Sequence, residues 1–129
     1  MNIGAISQIT GLSSKSIRLY EEKGIITAPL RSESGYREYS NQHLQELNLV
    51  SRAKGAGFSL AECRDLVDLA HNPNRKSSDV KQRTQDKLTE IKLKIQHLQE
   101  IEHQLSQWVS SCPGDGNSHC PIIEDLTKS

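Results

Sequence analysis

Residues 9–25 read ITGLSSKSIRLYEEKGI. Gly11-Leu12 breaks an apolar rhythm set by Ile3, Ile6 and Ile9 at helical spacing, and Ser13 then offers an N-cap for the segment SKSIRLYEEKG. Two short helices joined by a glycine-containing turn follow, the second ending near Gly24. In a helix-turn-helix the second helix presents polar side chains to a DNA major groove, and here it carries Lys15, Ser16, Arg18 and Tyr20. Alone, those residues favour a solvated face paired with Glu21 and Glu22.

The next stretch, IITAPLRSESGYREYS, has a β-branched start, Pro29 and a Ser-Glu-Ser-Gly tip, which predicts a β-hairpin turning around Ser34-Gly35. A hairpin directly after a helix-turn-helix is a wing. Arg31, Tyr36, Arg37 and Tyr39 on that wing, added to the cations of the helix, give two surfaces suited to gripping phosphate and tip the reading toward DNA. Net charge is zero, with 16 Lys+Arg against 16 Asp+Glu, yet residues 1–57 hold seven Lys/Arg against five Glu, a modest basic bias at this end.

Farther along, Ser40 caps a helix carrying Leu44, Leu47, Leu49 and Val50, Gly55-Ala-Gly57 breaks it, and Ser59-Leu-Ala-Glu62 forms a capping box for another. Cys63 follows that box as a half-buried small hydrophobe, and His43, His97 and His103 read as helix-surface residues. After the polar connector HNPNRKSSDV the pattern becomes one long helix over about 78–110. Its apolar positions, Leu88, Ile91, Ile95, Leu98, Leu105 and Val109, form a heptad seam that begins at Thr84 and is interrupted by Glu102. Such a helix extends roughly 50 Å. A narrow stripe of that length calls for a partner helix, so a homodimer is expected, in either orientation. With only 34% hydrophobic and 4% aromatic residues, the chain is lean for a self-sufficient globule, which agrees.

Beyond the long helix lies SCPGDGNSHCP, residues 111–121, with two cysteines each followed by proline. Three chemistries compete for Cys112 and Cys120. Structural zinc takes four ligands and pairs cysteines at closer spacing, and only His119 stands by as a further donor. A disulfide is disfavoured in a reducing cytosol, the compartment expected from three cysteines, an odd number, and from an N-terminus unlike a secretion signal. Two thiolates alone suit a soft monovalent d¹⁰ ion such as Cu(I). An inert loop stays open beside them. No apolar run approaches membrane-span length, and no nucleophile–base pair, paired carboxylates or glycine-rich phosphate loop appears, so an enzyme is not expected.

Taken together, ITGLSSKSIRLYEEKGI, RSESGYREYS, AKGAGFSLAE and CPGDGNSHCPIIEDL resemble the MerR family of metal-responsive transcription regulators, and specifically its copper-efflux branch, over essentially the whole chain. The resemblance implies a mainly α fold. A winged helix-turn-helix head spans 1–75, an antiparallel coiled-coil dimerisation helix 76–110, and a metal-binding loop with the C-terminal segment 111–129. It implies a cytoplasmic homodimer on a promoter with an overlong spacer, distorting double-stranded DNA when metal-bound so that RNA polymerase can engage. DNA contacts are carried over to Lys15, Arg18, Tyr20, Arg31, Tyr36, Arg37 and Lys54. The metal ligands are carried over to Cys112 and Cys120, for Cu(I), with Ag(I) or Au(I) as substitutes. Relatives for divalent ions bring a third cysteine from the other subunit where this chain has Ser77, and Lys81 nearby is expected to offset the net negative charge of a two-thiolate site. The rival expectations are a redox regulator switching by a Cys112–Cys120 disulfide and a copper chaperone.

Overall fold

The computed structural model describes residues 1–128. Its elements run α1 (Ile3–Thr10), α2 (Ser14–Glu22), β1 (Leu30–Arg31), β2 (Arg37–Glu38), α3 (Asn41–Gly55), α4 (Leu60–His71), α5 (Ser77–Ser111) and α6 (Pro121–Thr127). Two compact units divide them, residues 1–87 and residues 88–129. The first unit takes in the opening turns of α5 as well as the four short helices before it.

Each head helix starts where a side chain satisfies an orphan backbone donor. Asn2 accepts from the Ala5 N–H at 2.8 Å and Ser13 from the Ser16 N–H at 3.1 Å, each cap contributing about 1 kcal/mol. At the other end of α2, Gly24 takes the left-handed conformation at φ 70°, which costs a side-chain-bearing residue free energy. Its N–H reaches the Glu21 carbonyl and that of Ile25 the Tyr20 carbonyl, a Schellman cap that turns the chain inward so that Ile25 and Ile26 enter the core. The Ser59–Glu62 capping box opens α4 as expected, with both reciprocal hydrogen bonds made.

The core gathers Ile6, Ile17, Tyr20, Ile25, Ile26, Tyr39, Leu47, Val50, Cys63 and Val67 from all four short helices and the wing. Burying each large aliphatic side chain stabilises by about 1.5–3 kcal/mol. Cys63 is fully buried rather than half-buried.

His43 departs from the helix-surface expectation. It sits at the third position of α3, buried, and its Nδ1 accepts the Ser40 N–H at 2.9 Å, doing what glutamate does in the usual capping box. That bond leaves the proton on Nε2, which is buried without a hydrogen-bond partner among the described residues.

The wing is minimal. Two antiparallel strands pair Leu30 with Glu38 and Arg31 with Arg37, and Gly35 at φ 83° makes the turn. Its base is fixed by Thr27, whose N–H and hydroxyl both donate to the buried Glu46 carboxylate on α3 at 2.9 Å; His71 Nε2 meets the same carboxylate.

In the second unit, α5 exposes Leu88, Ile95, Leu98, Leu105 and Val109 along the predicted seam, with Ile101 beside it. Glycine-containing loop residues then lead into α6, a helix within the stretch expected only as a C-terminal segment. Its signal was present: Pro121 occupies the first helical turn, where a missing N–H is harmless.

Candidate functional site

Two sites emerge, one in each compact unit. The first is an open cleft of about 660 Å³ in the head, lined by Arg18 from α2 and by Arg31, Tyr36 and Arg37 from the wing. Ile17 and Tyr20 face inward three residues apart, and this turns Arg18 and Lys15 to the opposite, exposed side of α2. Tyr36 stands 74% exposed at the wing. Arg31 is steadied by donation to the Gly35 carbonyl at 3.2 Å, and Arg37 by Glu21 at 3.0 Å. Four groups able to donate to phosphate therefore line one concavity.

Tyr20 is only 5% exposed and its ring packs in the core, where a side chain held out toward phosphate was expected. Tyr39, expected on the gripping face of the wing, is likewise buried, with its hydroxyl 3.4 Å from the Glu21 carboxylate and its pKa raised first by burial and then by Glu21. The anticipated pairing of Glu21 with its own helix is also replaced, since its partner is Arg37 from the wing. Lys15 and Lys54 are exposed but do not line the cleft; Lys54 ends α3 close enough to act electrostatically on Cys63 of α4.

The second site lies in the other unit. Cys112 follows α5 directly and Cys120 caps α6, and their Sγ atoms stand 3.9 Å apart as free thiols. Cys120 makes no conventional capping hydrogen bond. Even so, the N–H groups of Ile123 and then Ile122 are directed at its sulfur and pull the thiol pKa below its usual value, against burial and the nearby Glu124. His119 is held away from the sulfurs' role, its Nδ1 3.1 Å from a Glu124 carboxylate oxygen. Among the described residues no group of three or more His, Cys, Asp or Glu is arranged to hold a metal ion. Within this chain the two sulfurs thus stand without a third clustered donor among the described residues, a pairing that suits a soft monovalent ion better than a four-ligand zinc site.

Residues 1–69 match the model described as MerR HTH family regulatory protein, and residues 44–108 the model described as MerR, DNA binding. The chain belongs to the MerR family. It is 54% identical over 126 residues to the HTH-type transcriptional regulator CueR of Vibrio cholerae serotype O1, covering 98% of this chain and 91% of that protein. With CueR of Escherichia coli O6:H1 it shares 51% over 127 residues, covering 98% and 94%. The fold superposes with a TM-score of 0.86 on the transcription regulator PbrR691 of Ralstonia metallidurans CH34 in its lead(II) complex, at 27% identity and 98% coverage of both chains. This MerR-family chain is therefore a DNA-binding transcriptional regulator rather than an enzyme, as its sequence led us to expect.

Two further predicted positions of this MerR-family chain are Ser77, the first residue of α5, and Lys81, one turn on; both are exposed. No helix is long and apolar enough to cross a membrane among the described residues.

Proposed function

We propose that the chain is a Cu(I)-responsive dimeric regulator that holds a long-spacer promoter and, with metal bound, distorts the DNA so that RNA polymerase can transcribe copper-efflux genes. The observation that carries this reading is the pair of sulfurs at 3.9 Å with no third donor clustered beside them among the described residues. Cys112 and Cys120 hold the ion, for which Ag(I) and Au(I) are substitutes, and the ion supplies a bond joining the end of α5 to the start of α6. Likeness to the CueR proteins supports copper over lead or mercury. Ser77 at the start of α5 withholds a third thiolate, and Lys81 offsets the single negative charge that two thiolates and one monovalent ion leave.

On the DNA side, Arg18, Arg31, Tyr36 and Arg37 grip phosphates through the cleft, while Lys15 and Lys54 add charge from outside it. Two chains pair through the exposed apolar seam of α5, antiparallel, placing a head on each half-site. The head is residues 1–75, the dimer helix 76–110 and the sensor 111–129, in the cytoplasm.

The test is transcription in vitro from a long-spacer promoter under buffered Cu(I), Ag(I) and Zn(II). Wild type responds to the two monovalent ions only, and Cys112→Ser or Cys120→Ser still binds operator but no longer activates. Full activation by either variant with copper would sink the two-thiolate model. The nearness of the sulfurs also favours a second reading, a disulfide switch, which an anaerobic response to Cu(I) without oxidant excludes.

A further inference from the structure

Trp108, the chain's single tryptophan, lies in the last turn of α5, and its indole Nε1–H donates to Asp125 Oδ2 on α6 at 2.7 Å. Both cysteines fall on the chain between these residues. Main-chain bonds run close by to the sulfur-bearing residues: the Cys112 N–H donates to the Trp108 carbonyl, and the N–H of Glu124, the neighbour of Asp125, to the Cys120 carbonyl, both at 3.1 Å. Among the described residues the connecting loop is held by few bonds of its own: Gly114 and Gly116 interrupt it, Asn117 bonds locally to Asp115, and His119 pairs with Glu124.

We propose that Trp108 and Asp125 form a clasp that positions Cys120 opposite Cys112, so that much of the ordering needed to bring two sulfurs onto one ion is in place before the ion arrives. This rests on the reading of the pair as a two-thiolate metal site. The physical basis is loop closure. Holding two ends of a flexible segment together costs entropy, and a constraint made by other groups raises the effective concentration of one sulfur at the other. A donor bonded to a carboxylate is among the stronger neutral-to-charged hydrogen bonds. The same bond makes Trp108 a reporter, because its emission responds when the indole loses its carboxylate partner.

Affinity and release rate for Ag(I) and Cu(I), buffered by a competing ligand under anaerobic conditions, are measured on the full chain. The set is wild type, Trp108→Phe, Asp125→Ala, Asp125→Asn and the double variant Trp108→Phe/Asp125→Ala. Each of the first two single losses weakens binding about threefold to tenfold, chiefly by faster release. The double variant is no weaker than either, as two residues acting through one bond require. Asp125→Asn keeps an acceptor oxygen and stays near wild type, and metal-free Asp125→Ala alone shifts the indole emission. Wild-type affinity and release in Trp108→Phe and Asp125→Ala, or a double variant whose loss is the product of the two, overturns the clasp and leaves the metal site standing. Failure of wild type itself to bind either ion overturns both. Circular dichroism of each variant separates a lost clasp from a lost fold.

Discussion

The ammonium of Lys87 and the carboxylate of Glu62 meet at 2.9 Å, joining α5 to the capping box of α4. Lys87 is buried here, with its Nζ 5.4 Å from the centre of the Phe58 ring. Beside it, Arg83 pairs with Asp65, a second link between the same helices. The Lys87 hydrogen bond, followed by the Ser59 N–H, lowers the Glu62 pKa from 4.5 to about 2. A carboxyl depressed on folding adds stability that is present above its unfolded value and lost as pH falls toward its folded one. Thermal unfolding between pH 6 and pH 2 therefore shows wild type losing an advantage over Glu62→Gln as acid is added. The gain is modest because the Glu62 side chain is 44% exposed and screened by solvent. A constant difference across that window contradicts the assignment.

Arg18 lines the cleft and Lys54 does not. Gel-shift titrations at physiological salt are expected to show Arg18→Ala abolishing operator binding more completely than Lys54→Ala, with each variant flattening the salt dependence by about one counterion. Unchanged binding by Arg18→Ala would remove it from the interface.

Tyr20 offers a cleaner test of core against interface. With its ring in the core, Tyr20→Phe keeps operator affinity, whereas Tyr20→Ala destabilises the head by about 3–5 kcal/mol, the usual cost of deleting a buried aromatic ring. A tenfold loss of DNA affinity in Tyr20→Phe, with the melting temperature unchanged, would restore the phenol as a phosphate donor.

Cys63 and Cys120 are perturbed in opposite directions. Cys63 has 0% of its surface accessible, and burial pushes its pKa up. Cys120 is lowered by the N–H groups of Ile123 and Ile122. Brief alkylation of the metal-free chain near neutral pH, read by intact mass and peptide mapping, is expected to label Cys120 readily and to reach Cys63 only after denaturation. Equal rates at the two would refute this ranking.

The head was legible in the sequence because its boundaries are written in local chemistry. Ser13, Gly24 and the Ser59–Glu62 pair each act on backbone within five residues, so their types and spacing suffice. The phenols misled because tyrosine suits both a core and a phosphate, although the inward face shared by Ile17 and Tyr20 already pointed inside. His43 was missed because the capping box normally carries Glu or Gln at that place. Thr27 with Glu46, Arg37 with Glu21, Lys87 with Glu62 and Trp108 with Asp125 span 16 to 25 residues and leave no periodic trace. At the sulfur pair, the residue types were readable from spacing, whereas their approach depends on α6, which the seven-residue gap alone does not reveal.

The wing is tied down at both ends, by Thr27 on the Glu46 carboxylate and by Arg37 and Tyr39 on Glu21 of α2. Neither strand is long enough to hold its place by pairing alone, so these bonds make the wing and α2 one stiff piece. Arg18 and the wing cations are consequently set at a fixed separation when the head folds. The ordering that a floppy pair of basic arms would undergo on meeting a duplex has already happened, and encounter with DNA leaves mainly counterions to be released.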